Sequence, residues 1–262
     1  MRVNEPNSAG SVPPASAPSP ARMYDYYLGG KDNFAVDREA AEKVLSLWPE
    51  TEKAARANRR FLVRAVRFLA EQGIDQYIDL GTGIPTPPNV HEVAREIQPG
   101  ARVAYVDNDQ VVTAHNRALR ARDGIACVDA DLRDPDAVLG HPELAAVIDF
   151  DRPVALLFLA VLHFIGDDAA DLLARYRAAV VPGSYMTVSI ATMDGIDAAT
   201  RSRGLDVYDK STSPVVLRGR SEVVELLSDV ELVDPGLVPV TEWRTDEPPL
   251  TAGGLAGVGR IG

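Results

Sequence analysis

The chain has a single cysteine, Cys127, in 262 residues. That excludes an intramolecular disulfide and fits a reducing compartment. It also lacks any apolar run of the roughly 18 residues that a membrane helix needs. No charged-then-apolar leader pattern opens the sequence, so a cytoplasmic location is expected. Basic residues are in deficit: 27 Lys and Arg face 38 Asp and Glu, for a formal net charge of -11. Such a balance disfavours a broad nucleic-acid or acidic-membrane surface. No His/Cys/Asp grouping has zinc spacing, so no metal is expected. Aromatics make up only 6% of the chain, yet three of its eight tyrosines are Tyr24, Tyr26 and Tyr27.

What the chain does have is 46% hydrophobic content, enough for one substantial core. Residues 1–20 are rich in Pro, Ser and Ala and read as a flexible tail. Residues 21–50 hold the tyrosine cluster, the Gly29-Gly30 turn, then Lys31, Asp32 and Asn33. Ala40, Ala41, Val44, Leu45 and Trp48 follow at helical spacing. This segment reads either as an amphipathic helix docked on the core or as a helical lid over a ligand. Residues 51–262 form the main domain. A long helix over 51–72 carries a Phe61, Leu62, Ala65, Val66 and Leu69 stripe, and Gly73 is placed to stop it. Asn58 and Arg59 on this helix are within possible reach of a ligand.

From Gly73 onward strands and helices alternate. Strands are expected at 76–80, 101–106, 125–128, 154–161 and 185–190, with helices near 88–97, after Asp109, at 168–180 and at 221–227. Asp109 is a candidate cap for the second of these helices, whose stripe is Val111, Val112, His115, Ala118 and Leu119. Ser221 is a candidate cap for the last. The alternation predicts an α/β fold with a doubly wound, mostly parallel sheet. Near the C-terminus, Glu231–Val233 and Leu237–Val240 flank Pro235-Gly236 with no helix between them. An antiparallel pair closing the sheet edge is expected there, with a last strand over 255–261. Residues 192–217 read as an excursion above the sheet.

The stretch that organises the rest is Tyr77-Ile78-Asp79-Leu80-Gly81-Thr82-Gly83. It reads as a buried strand running into a glycine turn. Ligands of open α/β sheets sit beyond the strands' carboxyl ends. Asp79, Asp107 with Asn108, Asp131 and His163 fall at four such ends. A carboxylate there can accept ribose hydroxyls or an amino group in charge-assisted bonds. No lysine follows the glycine loop, so a P-loop is excluded. Clustered acids would repel a pyrophosphate and favour a cationic ligand. S-adenosylmethionine, with its ammonium and sulfonium, fits.

The order Asp79-Leu80-Gly81-Thr82-Gly83, Asp107, Asp131 and an apolar strand ending near His163 resembles the Rossmann-like (class I) S-adenosylmethionine-dependent methyltransferases. Tyr24-Asp25-Tyr26-Tyr27-Leu28-Gly29-Gly30-Lys31-Asp32-Asn33-Phe34 and Asn89-Val90-His91-Glu92-Val93 resemble a bacterial S-adenosyl methyltransferase group first known as a domain of unknown function. The likeness spans nearly all of residues 20–262. It implies the cofactor S-adenosyl-L-methionine and a reversed, antiparallel C-terminal edge strand. By position it implies that Asp79, Gly81, Thr82 and Gly83 line the methionine part. Asp107 would hold the ribose, with Asn108 beside the adenine. Asp131 and Leu132 would edge the adenine, and Ala160 would pass near the sulfonium. The segment from Tyr24 to Asn33 would cover the cofactor. Ile84-Pro85-Thr86 departs from the family's third small residue and leaves the loop's backbone contacts open.

The methyl acceptor is expected to be a small molecule. His163 is the candidate general base, since its ordinary pKa lies near neutrality. The plainer reading makes it a packing residue between Leu162 and Phe164. Tyr26, Lys31, Asn33 and His91 are candidates for acceptor contact. His115, His141 and Cys127 read as structural. Two other readings stay open. One is a non-catalytic sensor that binds S-adenosylmethionine in the same cleft. The other is an NAD-dependent oxidoreductase, against which Thr86 stands where that fingerprint has a third glycine or alanine.

Overall fold

The structure is a computed structural model that describes residues 17–117, 123–192, 194, 196–248, 250 and 253–262. Most of the expected tail lies outside the described residues. Ser19, assigned to that tail by composition, is instead buried. Its backbone N–H donates to Asp37 Oδ1 at 2.9 Å.

Three helices come first: α1 (Pro20–Tyr27), α2 (Ala35–Leu47) and α3 (Thr51–Glu71). Pro20 opens α1, where its missing N–H costs nothing. Gly73, at φ 86°, ends the α3 turn as expected. Then come β1 (Gln76–Leu80), α4 (Val90–Arg95), β2 (Arg102–Asp107), α5 (Gln110–Arg117) and β3 (Ile125–Asp129). Short helices α6 (Pro135–Leu139) and α7 (Pro142–Ala145) lead to β4 (Ala155–Leu159), and a 3-10 turn at Leu162–Phe164 precedes α8 (Ala169–Ala178). The rest is β5 (Tyr185–Ala191), α9 (Ala198–Tyr208), α10 (Arg220–Leu226), β6 (Glu231–Leu232), β7 (Val238–Pro239) and β8 (Gly254–Arg260).

The sheet runs β3-β2-β1-β4-β5-β8-β6, with β7 also on β8. Strands β1 to β5 pair in parallel, and β8 runs antiparallel to β5. This is the expected α/β sheet, mostly parallel, with an antiparallel β5-β8-β6 edge. The chain lays β2 and β3 on one side of β1 and then returns to place β4 on the other. That reversal opens a crevice at the carboxyl end of β1, where such folds bind ligands. Alternation sorts β1: Ile78 and Leu80 pack with Phe158 and Tyr176 on one face, while Tyr77 joins Phe61 and Trp243 on the other. Met23, Tyr27, Ala41, Val44 and Ala55 make a third, smaller cluster under the N-terminal helices.

Several local expectations shift. The helix expected from residue 88 starts at Val90, because Pro85 to Pro88 stay in the loop and Asn89 caps it. Asn89 N–H donates to Glu92 Oε2 at 2.7 Å. Asp109 does cap α5, accepting the Val111 N–H at 2.8 Å. The buried residues of α5 are Val112, Thr113 and Asn116, so its inner face is rotated from the expected stripe. Ala118 and Leu119 of that stripe lie outside the described residues. Gly219, not Ser221, caps α10, and its N–H donates to Glu222. The expected C-terminal pair does not pair with itself. Both β6 and β7 lie against β8, which supplies the longer run of backbone partners. Among the described residues, no helix is long and apolar enough to cross a membrane.

Candidate functional site

One cavity of about 320 Å³ opens over the carboxyl ends of β1, β2 and β4. Its floor is the loop after β1. Gly81 and Gly83 hold φ values of 73° and 66°, a region L side chains avoid. A Cβ on Gly81 would fall 2.4 Å from Val161 Cγ2, so only glycine lets this loop pass the β4 end. A Cβ on Gly83 would meet no protein atom, and Gly83 borders the open cleft.

The expected acids meet here. Asp79, Asp107 and Asp131 all line the cavity. Asp79 is buried and accepts the Thr82 hydroxyl at 2.9 Å. Asp107 bridges two loops: it accepts Gly83 N–H at 2.8 Å and Asp109 N–H at 2.9 Å. Burial pushes both carboxyls up to about 6, against the hydrogen bonds that favour their charged forms. Asp131 behaves oppositely. Arg133 bonds it in a bidentate pair, which holds its carboxyl below the usual range. Asn108 Nδ2 also donates to Asp131 at 3.0 Å. Asp79 and Asp107 keep lone pairs for a ligand, whereas both Asp131 oxygens are already shared with Arg133 and Asn108.

The N-terminal helices close over this floor. The buried Arg22 Nε donates to Asp37 at 2.8 Å, and its Nη1 reaches Asp109 at 3.1 Å. Ser19 Oγ also donates to Asp109, at 2.6 Å. The helical cap is thus pinned to the loop that carries Asp107. Asp25 organises the turn that follows α1. It accepts Asp32 N–H at 2.9 Å and Asn33 Nδ2 at 2.7 Å. Gly30 must be glycine, since a Cβ there would lie 1.9 Å from Asp25 Oδ1.

A second network crosses the cleft. Tyr24 O–H donates to Ala55 O at 3.0 Å and accepts Asn58 Nδ2 at 2.9 Å. Asn58 Oδ1 accepts Ser189 Oγ at 2.6 Å, and Ser189 Oγ accepts Ala160 N–H at 2.9 Å. Ala160 sits at φ 53°, a strained position for a non-glycine residue. The network holds that backbone against the cavity. Asn58 and Arg59 both line the cleft, as sequence spacing allowed.

Of the remaining sequence candidates, Tyr24, Gly81, Thr82, Gly83, Asn108, Leu132, Ala160 and His163 line the cavity. Tyr26, Lys31, Asn33 and His91 are not among its lining residues. Tyr26 O–H donates to Glu42, Lys31 is exposed, and Asn33 is spent on Asp25. His91 is buried in α4 with Nδ1 2.7 Å from the Tyr105 hydroxyl. His163 is half-buried, and its Nδ1 accepts the Ala191 N–H at 3.3 Å. A backbone amide can only donate, so Nδ1 carries no proton and the neutral ring's N–H is at Nε2. Burial and the nearby Arg218 guanidinium push the ring down to about 4. That geometry argues against His163 as a general base at neutral pH. Trp48, Ser189 and Tyr208 also line the cleft and were not singled out as site residues from sequence. They reach it from α2, β5 and α9, and no local motif marks such convergence. Among the described residues, no group of three His, Cys, Asp or Glu side chains is placed to hold a metal.

Comparison with known proteins gives a consistent result. A family model described as S-adenosyl methyltransferase matches residues 10–261. A DUF574 family protein from Streptomyces avermitilis is 38% identical, with 94% of this chain and 98% of that chain covered, at a TM-score of 0.89. A Thermobifida fusca structure, described provisionally as a methyltransferase, is 40% identical, with 94% and 96% covered, at a TM-score of 0.87. Human N-acetylserotonin methyltransferase, solved in complex with SAM, shares the fold at 18% identity and a TM-score of 0.50, with 91% and 62% covered. No match was found among curated proteins.

Proposed function

The chain belongs to the S-adenosyl methyltransferase family, and from that premise we propose that it methylates a small molecule enclosed between the strand tips and the N-terminal cap. The cofactor is S-adenosyl-L-methionine. The residues of the cleft suit it. Asp79 is a buried carboxylate without a basic partner bonded to it, which suits an ammonium. Asp107 has free lone pairs beside the glycine loop, which suits paired ribose hydroxyls. Asn108, Asp131 and Leu132 offer two polar groups and an apolar edge, which suits an adenine. The open space over Gly83 leaves room for ligand atoms close to the backbone.

When bound, the cofactor supplies an electrophilic methyl on a sulfonium, and the acceptor's lone pair forms the new bond as the C–S pair stays with sulfur. The protein's part is alignment and exclusion of water. Tyr24, Asn58 and Ser189 fix the strained Ala160 backbone at the β4 end. Arg22, Asp37 and Asp109 hold residues 21–50 as a lid. His163 offers an N–H rather than a lone pair, so it orients the acceptor and takes no proton. An acceptor that carries a proton loses it to solvent as the methylated product leaves the cleft.

The observation that carries this reading is the meeting of Asp79, Asp107 and Asp131 around one glycine-floored cavity. Titration calorimetry with S-adenosylmethionine tests the cofactor half; no heat at millimolar cofactor defeats it. A screen of small molecules with a labelled methyl donor tests the catalytic half. A methylated product excludes mere sensing.

A further inference from the structure

The lining of the cleft also includes a group of rings with a different chemistry from the strand-end acids. They are Tyr27, Trp48, Phe164 and Tyr208. The rings are set against one another. Phe164 lies 6.1 Å from Tyr208 and 4.3 Å from His163, centroid to centroid. The Tyr27 and Tyr208 hydroxyls are 3.4 Å apart. Trp48 is seated in a place made for it: a Cβ on Gly204 of α9 would lie 2.1 Å from the indole. Four rings from α1, the end of α2, the β4 loop and α9 thus meet in one wall.

The ionic groups near these rings already have hydrogen-bond or ion-pair partners within the protein. Asp25 is taken by Asp32 and Asn33. Glu50 lies 3.9 Å from Lys53 Nζ. Arg59 donates to the Thr86 and Pro88 carbonyls. Burial raises the Tyr27 and Tyr208 phenols, so both stay protonated. His163 is neutral and has only the Nε2 proton to offer. The rings themselves offer a charged ligand no counter-ion in place of the water it would lose. A flat ring would gain stacking and edge contacts.

We propose that the methyl acceptor is a planar, uncharged aromatic molecule whose ring packs among Tyr27, Trp48, Phe164 and Tyr208 and whose carbonyl or ring nitrogen accepts from His163 Nε2. This rests on the methyltransferase reading of the cleft. The test uses the full chain saturated with S-adenosylhomocysteine and two neutral bicyclic ketones, quinolin-4-one and 1-decalone, observed by ligand NMR. The aromatic ketone binds, and the saturated one binds about tenfold more weakly. Phe164→Leu and Tyr208→Leu each weaken quinolin-4-one about tenfold while S-adenosylhomocysteine binds as before. Equal binding of the two ketones overturns the proposal. So does failure of quinolin-4-one to bind a protein that holds S-adenosylhomocysteine. Failure to bind S-adenosylhomocysteine itself overturns the underlying reading, and this inference with it.

Discussion

Cofactor binding should release protons, and the number released should identify Asp79 and Asp107. Both carboxyls are buried and pushed up to about 6 in the free protein. At pH 5 each is therefore about 90% protonated. An ammonium at Asp79 and ribose hydroxyls at Asp107 favour the charged forms, so binding at pH 5 should expel close to two protons. At pH 8 it should expel almost none. Affinity should fall by up to about tenfold per group for each pH step below 6. Asp107→Asn removes one titrating site. It also places an NH₂ against one of the two N–H groups that Asp107 now accepts, from Gly83 and Asp109. At pH 8 the variant should bind about 1.5–3 kcal/mol more weakly, the range for bonds to a charged group. At pH 5 that gap should shrink by about tenfold in affinity, and the proton count should drop to about one. Calorimetry in two buffers of different ionisation enthalpy counts the protons directly. A wild-type count near zero at pH 5, or the same count in Asp107→Asn, would refute the assignment of these acids to the cofactor.

The same shift has the opposite sign for the cofactor-free protein. A carboxyl raised on folding stabilises below its unfolded pKa near 3.8, and that contribution is lost as pH rises through about 6. Asp79→Asn keeps an acceptor for the Thr82 hydroxyl and removes the buried charge. It should stabilise the free protein by on the order of 1–3 kcal/mol at pH 8 and not at pH 4, by thermal melting, while weakening cofactor binding. A lower melting temperature at pH 8 would contradict this. Arg22→Ala leaves the fully buried Asp37 without its cation and should cost about 3–5 kcal/mol in chemical denaturation; a loss under 1 kcal/mol would mean the cap is held otherwise. Gly30→Ala forces a methyl into the Asp25 carboxylate and should open the turn at 29–33. Hydrogen exchange of the Asp32 amide should rise by an order of magnitude or more, and unchanged protection would refute that packing.

Much of the candidate cleft was legible because its grammar is local. Asp79, Asp107 and Asp131 each end an apolar strand within a few residues, and Gly81 and Gly83 follow the first at once. A parallel sheet then brings strand ends together without further information. The rest of the cleft's lining was less legible. Tyr26, Lys31 and Asn33 stand in a polar, aromatic run, but the α1 helix turns Tyr24 and Tyr27 toward the cleft and leaves Tyr26 to Glu42. Asn33 is used to satisfy Asp25, a contact that only the folded turn creates. His163 lines the cleft, but the Ala191 amide claims its Nδ1, which no local pattern shows. Trp48 against Gly204, Tyr27 against Tyr208 and Asn58 against Ser189 join residues more than 100 apart in sequence. No periodicity encodes such meetings; they depend on where α9 and β5 land.

The most direct measurement is a crystal structure of the full chain with S-adenosylhomocysteine. The account predicts the amino group at Asp79, both ribose hydroxyls at Asp107 and the adenine edge at Asp131, with the sulfur facing the rings of Phe164 and Tyr208. A nucleoside bound away from the Gly81–Gly83 loop, or turned so that its sulfur points away from those rings, would contradict it.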